Sequence, residues 1–341
     1  MRPSIPPMPR FLAAFGLCAL VAACNAGPPG VSATDGGDAD LAGSQMQQQQ
    51  PPDLSPSLPY PFVLAHGLDG FKNIGPLTYY YGVADALTKE GHAVFTAVVD
   101  PYNDSEVRGA QLATFVEGVL AQTHASKVIL ICHSQGGLDC RYVASKMGDR
   151  VHSVTTISTP HRGTPVADIA VGDLPGPLQS AVTAIMNAIG FVLTGGSGDM
   201  NAKAALNTLT LAGTTAFTAR HPDDPRVQYY SIAGRSNSAK GDYSCQSSTS
   251  APFVSRWDTY VDPINPLLSL TGTILSNNVS PPPANDGLVP IGSARWGTFL
   301  GCIPADHLDE VCQIAGQSPG PGNPFDCLTF YRQLAEFLAS H

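Results

Sequence analysis

Charged side chains are scarce in this chain. Only 13% of its 341 residues are Asp, Glu, Lys or Arg, whereas 43% are hydrophobic. The formal net charge is −9, and the 18 Lys and Arg residues are scattered along the sequence. A nucleic-acid-binding protein needs clustered basic side chains to contact phosphates, so the composition argues against that class. It predicts instead one large domain with a single hydrophobic core.

An uninterrupted apolar run long enough to cross a bilayer is also missing. The run at 11–23 has thirteen residues and follows Arg2 and Arg10, which predicts a signal peptide over residues 1–23. It ends in Val-Ala-Ala-Cys, which resembles a bacterial lipobox, so Cys24 would become a lipidated N-terminus. Ordinary signal-peptide cleavage nearby, with an incidental Cys24, is the alternative.

The segment that follows lacks an apolar period. Residues 24–59 are rich in Gly, Pro, Ser, Asp and Gln, which predicts a disordered tether. We therefore expect a folded domain over residues 60–341 that is exported, either as an outer-membrane lipoprotein or as a secreted or periplasmic protein.

The cysteine spacing gives no zinc signature, since neither a CxxC pair nor a His-rich spacing is present. Export would permit disulfides. Cys132 ends a predicted buried strand and Cys140 lies on the next helix, so both are expected to be free thiols. The remaining cysteines of the folded domain allow three pairings, of which we favour Cys245–Cys302 and Cys312–Cys327.

The segment KVILICHSQGGLDCRY at 127–142 predicts a buried strand, a tight turn and a helix. That context raises a serine hydroxyl above the sheet of an α/β-hydrolase, so Ser134 is a candidate nucleophile. Cys132 occupies the place where the usual pattern has glycine, whereas Gly136 fits the pattern. The alternative interpretation is an ordinary loop serine.

Strands and helices alternate from residue 60 onward. This order predicts an α/β fold with a mostly parallel sheet and helices on both faces. The predicted strands cover 62–65, 93–99, 127–132 and 154–157, and the predicted helices cover 80–89, 110–122 and 328–338.

An uncharged stretch at 174–198 carries apolar residues at helical spacing. Polar interruptions argue against a membrane span. Its position, before the candidate acid and base, favours a helical lid within an insertion at about 170–222. A plain core helix is the alternative.

A serine nucleophile needs a general base, and the base needs an orienting carboxylate. In α/β-hydrolases these residues follow in the order Ser, Asp or Glu, His. His307 stands just before the last predicted helix, where the base belongs. Asp286 lies on a predicted turn about twenty residues upstream. Other histidines after Ser134 come too early, in a polar loop, or at the C-terminus.

From about residue 60 to the C-terminus, the chain resembles the bacterial true lipases of Pseudomonas and Burkholderia, which have the α/β-hydrolase fold. The resemblance rests on motifs spread along the chain. They are AHGLDG at 65–70, YYYGVADAL at 79–87, RGAQL at 108–112, HSQGGLDCRYVA at 133–144, VTTISTPHRGTPVAD at 154–168, NDGLV at 285–289 and HLDEV at 307–311.

The resemblance implies an exported serine ester hydrolase. It assigns Ser134 as nucleophile, Asp286 as orienting acid and His307 as base. The backbone amides of Leu68 and Gln135 would form the oxyanion hole. A triacylglycerol lipase or carboxylesterase is the function implied, acting on lipid or ester at an interface, and many relatives need a foldase chaperone.

The family also carries a structural calcium ion. The resemblance places its carboxylate ligands at Asp262 and Asp309 and its carbonyl ligands at Gln313 and Gln317. Asp258 is the rival of Asp262. Ligation by oxygen alone suits a hard cation. Without the resemblance, solvated loop acids would be the interpretation.

Two other functions remain open at the level of sequence. One is a polyester depolymerase or small-ester esterase of the same fold. The other, from a different class, is a non-catalytic binding protein anchored at the cell surface, against which the intact set of Ser, Asp and His argues.

The lipobox predicts that the mature chain begins at Cys24 and carries acyl chains there. Two or more acyl chains give stable anchoring where one does not. Cys24→Ser should therefore release the protein from the membrane fraction or block its processing. Mass spectrometry of the mature N-terminus is the measurement, and a free residue beyond position 24 would rule the anchor out.

Overall fold

In the computed structural model of the chain, the part described begins at residue 60. It comprises residues 60–68, 70, 73–74, 77–172, 202–237, 245, 250–257, 259–277, 284–313, 316, 319–320 and 322–341. The predicted signal peptide, the tether and the 174–198 stretch lie outside the described residues, as do Asp258 and Gln317.

The strands in the described ranges are β1 Phe62–Ala65, β2 Asn73–Ile74, β3 Leu77–Thr78, β4 Val94–Thr96, β5 Val128–His133, β6 Val151–Ile157, β7 Gln228–Gly234, β8 Ser236–Asn237, β9 Asp262–Pro263 and β10 Thr298–Ile303. Six of these described strands form the central sheet in the order β10-β7-β6-β5-β1-β4, and every neighbouring pair is parallel. The other four described strands make two separate pairs, β2–β3 and β8–β9.

Helices connect these strands and cover the sheet. They are α1 Val83–Lys89, α2 Ser105–Thr123, α3 Gly136–Met147, α4 Pro165–Val171, α5 Ala202–Leu209, α6 Leu211–Arg220, α7 Pro252–Ser255, α8 Ser269–Asn277, α9 Ile291–Ala294 and α10 Cys327–Ser340. None of the helices in the described ranges is long and apolar enough to cross a membrane.

The core consists of two layers, one on each face of the sheet. Alternate residues of a strand point to opposite faces. Phe62 and Leu64 of β1 accordingly join the layer under α1 and α10, whereas Val63 and Ala65 join the layer under α2 and α3. All six residues of β5 are buried, as expected for a central strand covered on both sides. The predicted α/β fold with a mostly parallel sheet is confirmed.

The predicted element boundaries need correction in several places. Helix α2 begins at Ser105, five residues before its predicted start, because the Asp104 side chain accepts hydrogen bonds from the backbone N–H groups of Glu106 and Val107 and so caps the helix there. Strand β4 is shorter than predicted. Strands β7 and β10 were not recognised from the sequence, since each begins with exposed or half-buried residues rather than with an apolar run.

The prediction of free thiols at Cys132 and Cys140 is wrong, because these residues form a disulfide. Helix α3 runs back across the face of β5 on which Cys132 lies, and this brings their Cα atoms to 6.7 Å. The predicted pairs Cys245–Cys302 and Cys312–Cys327 are both confirmed.

Candidate active site

Ser134 lies on the sharp turn between β5 and α3, at the carboxyl end of a central strand. Its φ angle is 55°, a left-handed conformation that is uncommon for a residue with a Cβ atom. Two hydrogen bonds hold it there: its N–H donates to the Ile157 carbonyl at 3.0 Å, and the Thr159 hydroxyl donates to its carbonyl at 2.7 Å. Strained backbone of this kind persists only where the surroundings fix it.

Gly136 shows why the turn needs a small residue two positions after the serine. A Cβ atom at 136 would lie 2.5 Å from the carbonyl oxygen of His66 and 2.7 Å from that of Ala65. The close approach of α3 to the end of β1 therefore excludes any other residue at this position.

His307 and Asp286 lie on two loops that meet beside Ser134. The His307 Nε2 atom is 2.9 Å from the Ser134 Oγ atom, and its Nδ1 atom is 2.7 Å from Asp286 Oδ2. The two loops are also joined directly, since the His307 N–H donates to the Asp286 carbonyl at 3.0 Å. The structure thus brings together all three residues that the chain order singles out.

Asp286 is fully buried yet remains anionic. Burial acts to raise its pKa, but the neighbouring His307 charge and the hydrogen bond from that ring outweigh burial. The backbone N–H groups of Val289 and Leu288 donate to Oδ1 and act in the same direction. The pKa of Asp286 is therefore held below its usual value, so its carboxylate can orient the imidazole and stabilise its protonated form.

A second buried carboxyl group, Glu310, lies near the same imidazole nitrogen as Asp286. One of its oxygens is 3.9 Å from His307 Nδ1 and 2.9 Å from His133 Nε2, and the Ser158 hydroxyl donates to the other at 2.6 Å. Burial, and then the charge of Asp286, raise the pKa of Glu310 well above its usual value. Sequence reasoning gave Glu310 no role, although it stands only three residues after His307.

The two predicted oxyanion donors flank the serine. Gln135 immediately precedes α3, where backbone N–H groups have no partner within the helix. Its side chain is anchored by a hydrogen bond from Nε2 to the Asn103 carbonyl at 2.8 Å. Leu68 follows β1 and lines the same cavity as Ser134.

Arg108 fixes the loop that carries Leu68. Its Nη2 atom donates to the carbonyls of His66 at 2.8 Å and Gly67 at 3.1 Å, and its Nε atom pairs with Asp139 of α3 at 2.8 Å. Both side chains of the ion pair are buried. Burial raises the pKa of Asp139 to about 6, although the Arg108 charge acts to lower it. Arg108 stands in the RGAQL motif, but sequence reasoning assigned it no role.

An apolar cavity opens above Ser134 and His307. Its walls come from the loop after β1, from α4 and α5, and from the loops that carry Asp286 and His307. Its aliphatic lining residues include Leu68, Val166, Leu206, Leu209, Leu288 and Val289.

Three carboxylates gather beside the His307 loop: Asp262, Asp306 and Asp309. They offer oxygen atoms that all lie within 4.8 Å of one another. Burial, and then the charge of Asp306, raise the pKa of Asp262 to about 7 and that of Asp309 to about 9. The buried Oδ2 atom of Asp262 has no hydrogen-bond partner among the residues that the structure describes. Such a cluster suits a divalent cation that accepts hard oxygen ligands.

Asp306 was missed from the sequence, although it precedes His307 directly. Its carboxylate also organises the loop, since it accepts hydrogen bonds from the backbone N–H groups of Asn265, Leu308 and Asp309. The side chain of Gln313 is held by another contact, since its Nε2 atom donates to the carbonyl of Tyr79 at 2.7 Å.

Comparison with known proteins gives the family. Residues 60–257 match the α/β-hydrolase fold family. The chain is 34% identical to a triacylglycerol lipase of Vibrio cholerae over 82% of this chain and 87% of that protein. It is 31% identical to a triacylglycerol lipase of Pseudomonas fragi, covering 78% of this chain and 92% of that protein. The chain belongs to the bacterial triacylglycerol lipase family of the α/β-hydrolase superfamily.

The fold of this lipase family member is shared with more distant solved structures. The crystal structure of Staphylococcus hyicus lipase superposes with a TM-score of 0.59 at 17% identity, over 85% of this chain and 98% of that one. The predicted family and the prediction of an ester-hydrolysing enzyme are confirmed. The match to the superfamily ends before Asp286 and His307, whereas the relatives extend over most of the chain.

Because Arg108 holds the loop that carries Leu68, we predict that its side chain affects the rate of ester hydrolysis. Arg108→Lys keeps the charge opposite Asp139 but cannot reproduce the planar fork that reaches two carbonyls. Because a misplaced oxyanion donor costs up to 10²–10³ in kcat, we expect kcat to fall about tenfold or more with little change in KM. Steady-state kinetics on a soluble ester measures this. Arg226→Lys, at an exposed ion pair, is the control, and an unchanged kcat in Arg108→Lys would contradict the assignment.

Proposed function

We propose that this protein is a serine ester hydrolase that works as a triacylglycerol lipase or carboxylesterase. One observation carries the proposal: Ser134, His307 and Asp286 form a continuous hydrogen-bonded chain of 2.9 and 2.7 Å at the base of an apolar cavity. A nucleophile, a base and an orienting carboxylate in this arrangement are what acyl transfer requires.

The mechanism begins when His307 Nε2 takes the proton of Ser134 as Oγ attacks the ester carbonyl. Asp286 keeps the imidazole in the tautomer that can accept this proton. The backbone amides of Leu68 and Gln135 would stabilise the tetrahedral oxyanion, each by about 3 kcal/mol. His307 then protonates the leaving alcohol, and a water molecule repeats the cycle on the acyl-enzyme.

The cavity supports an acyl chain as the group bound next to the nucleophile. Among the described residues, its lining contains no Asp, Glu, Lys or Arg side chain that could pair with a charged acyl group. Leu206 and Leu209 of α5 contribute one wall. Since α5 and α6 lie within the insertion predicted at about 170–222, we include in the proposal that this insertion is a lid whose apolar face meets lipid.

The function is tested by turnover on the same ester below and above its solubility limit. A lipase with a lid should show a rate that rises once an interface forms, because the apolar face then leaves water. Equal specific activity on dissolved and emulsified substrate would favour a carboxylesterase or a polyester-cleaving relative. Failure of a fluorophosphonate probe to label the wild type at Ser134 would favour the binding-protein alternative.

Variants of the three central residues belong to the same test. Ser134→Ala and His307→Ala should each lower kcat by about 10⁴-fold or more, with the exposed Ser255→Ala as control. Asp286→Asn should be less severe, since loss of the Asp286 charge lowers the pKa of Glu310, and the resulting carboxylate, 3.9 Å from the same ring nitrogen, can orient the base in its place. Wild-type kcat in Ser134→Ala would overturn the mechanism.

A structural calcium ion is part of the proposal. Asp262 and Asp309 would hold it with their carboxylates, and the nearby Asp306 supplies further negative charge. When bound, the ion would neutralise carboxylates that repel one another. Gln313 and Gln317 are proposed to complete the site through their carbonyls.

The position of the acids gives the ion a role in geometry rather than in chemistry. Asp262 lies in β9, which pairs with β8, and Ser236 of β8 donates to the carbonyl of Asn285, directly before Asp286. Asp309 lies two residues after His307. An ion between Asp262 and Asp309 would therefore tie the Asp286 segment to the His307 loop, where a displacement of about 1 Å costs roughly a hundredfold in rate.

Calcium binding should strengthen as the pH rises. Without the ion, the raised pKa values of about 7 for Asp262 and about 9 for Asp309 mean that the folded protein holds protons that the unfolded chain releases near pH 4. The apo-protein should therefore lose stability as the pH rises from about 4 to 9. Calcium displaces these protons, so its stabilising effect should grow over the same range.

Calorimetry of chelator-stripped protein with and without calcium, at several pH values, measures this effect. Asp262→Ala and Asp309→Ala should remove the calcium response, whereas the exposed Asp85→Ala should keep it. Magnesium should substitute poorly because it requires stricter octahedral geometry. A melting temperature that calcium leaves unchanged in the wild type would exclude the site.

We also propose that the protein is exported, that it is attached to a membrane through Cys24, and that residues 24–59 form the tether. Their support lies in the sequence of residues 1–59, and the mass of the mature N-terminus tests them. A foldase requirement is proposed from the family resemblance, and spontaneous refolding of the purified chain to full activity would refute it.

A further inference from the structure

The Cys132–Cys140 disulfide encloses the candidate nucleophile. Cys132 is two residues before Ser134 at the end of β5, and Cys140 lies in the second turn of α3. Both cysteines are completely buried in the core layer under α2 and α3. The bridge spans eight residues, and the left-handed turn at Ser134 lies inside that short ring.

The position of Cys132 is otherwise reserved for glycine in the nucleophile-turn pattern, because strand and helix approach each other closely there. At Gly136 the carbonyls of Ala65 and His66 leave no room for a Cβ atom. At position 132 a Cβ atom is present instead, and its Cα is fixed between Ala65 of β1 and Thr156 of β6. In the usual pattern, a glycine at this position lets the strand and the helix touch. Here the Cys132–Cys140 bond joins β5 to α3 covalently instead.

The same turn of α3 also positions the loop after β1 that carries Leu68, the proposed oxyanion donor. Asp139, next to Cys140, pairs with Arg108, and Arg108 in turn holds the carbonyls of His66 and Gly67. Neighbouring residues of one helix therefore connect to the nucleophile strand and to the loop that carries Leu68. A change in the distance between α3 and β5 would displace Ser134 relative to the helix and to the loop that carries Leu68.

We propose that the Cys132–Cys140 disulfide is a positioning element for the reaction, which holds the Ser134 turn and α3 at the spacing that catalysis needs. The proposal rests on the proposed function in taking Ser134 as the nucleophile. It assigns the disulfide a role in reactivity beyond its contribution to stability.

Two double variants of the full chain separate reactivity from stability. C132A/C140A removes the bond but keeps a Cβ atom at position 132, whereas C132G/C140A restores the glycine of the usual pattern. C245A/C302A, which removes a disulfide of sequence separation 57 elsewhere in the fold, is the matched control. Each is measured by the rate of fluorophosphonate labelling at Ser134, by kcat and KM on a soluble ester, and by melting temperature.

We expect the labelling rate and kcat of C132A/C140A to fall at least tenfold with KM within twofold. C132G/C140A should recover part of this loss, because glycine lets α3 approach the strand. Glycine is less favourable than alanine within a strand, so C132G/C140A should nevertheless be the less stable of the two. Reactivity and stability would then rank the two variants in opposite orders. The control should melt at a lower temperature but label within twofold of the wild type.

Wild-type labelling rates in both C132A/C140A and C132G/C140A would overturn the proposal. Reactivity that follows melting temperature would overturn it as well. If neither variant folds, the wild type supplies the test. A phosphine reduces the disulfide to two thiols and becomes the phosphine oxide, with water supplying the oxygen and the thiol protons. The thiols are then alkylated before a short pulse of probe. Cleavage after Lys127 and Arg141 leaves Cys132, Ser134 and Cys140 in one peptide.

Mass spectrometry of that peptide reports alkylation and labelling on the same molecule. Peptides with both cysteines alkylated should carry at least tenfold less probe at Ser134 than peptides with the disulfide intact. Equal labelling of the two forms would refute the positioning role. Absence of label from the intact form would instead refute the proposed function, so the two failures are distinguishable.

Discussion

The left-handed backbone of Ser134 is the constraint on which the rest of the site depends. A residue with a Cβ atom adopts this conformation only when its surroundings compensate the strain. Here they include the Ile157 carbonyl, the Thr159 hydroxyl and a helix that closes against β1 over Gly136. The parallel sheet makes these contacts possible, because the carboxyl ends of the neighbouring strands β1, β5 and β6 lie side by side at the same end of the sheet.

A second requirement follows from burial. The site places Asp286, Glu310, Asp139 and Arg108 where water does not reach them. An isolated buried charge is very unfavourable, so each of these groups has a partner of suitable charge or hydrogen-bonding capacity. Arg108 neutralises Asp139, and the imidazole faces Asp286, whereas the raised pKa of Glu310 favours its neutral form. The arrangement lets two carboxyl groups lie beside one histidine without two full negative charges.

Local signals in the sequence were enough to predict the α/β fold and to bring Ser134, Asp286 and His307 into consideration. The strand, turn and helix around Ser134 are encoded by consecutive residues. The order in which the acid and the base follow the serine can also be read directly from the sequence. Arg108 with Asp139, and His133 with Glu310, could not be predicted in this way, since their partners are 31 and 177 residues apart. Their contacts exist only once the helices have packed on the sheet.

The error at Cys132 and Cys140 has a similar origin. Each cysteine was judged by its own element, a buried strand and a helix, and both environments are typical of free thiols. What decides their state is the direction in which α3 returns across β5, which periodicity does not specify. Asp306 differs from the acids that the family resemblance implies, because its contacts with the backbone N–H groups of Asn265, Leu308 and Asp309 form only once the loops have folded together.

The distance along the chain between the reacting groups has a consequence for the timing of activity. His307 is 173 residues downstream of Ser134, and the helix that seals its loop, α10, is later still. A ribosome therefore finishes the proposed nucleophile, the sheet centre and the loop that carries Leu68 long before it makes the proposed base. The nascent polypeptide therefore lacks the imidazole that contacts Ser134 until nearly the whole chain has been made.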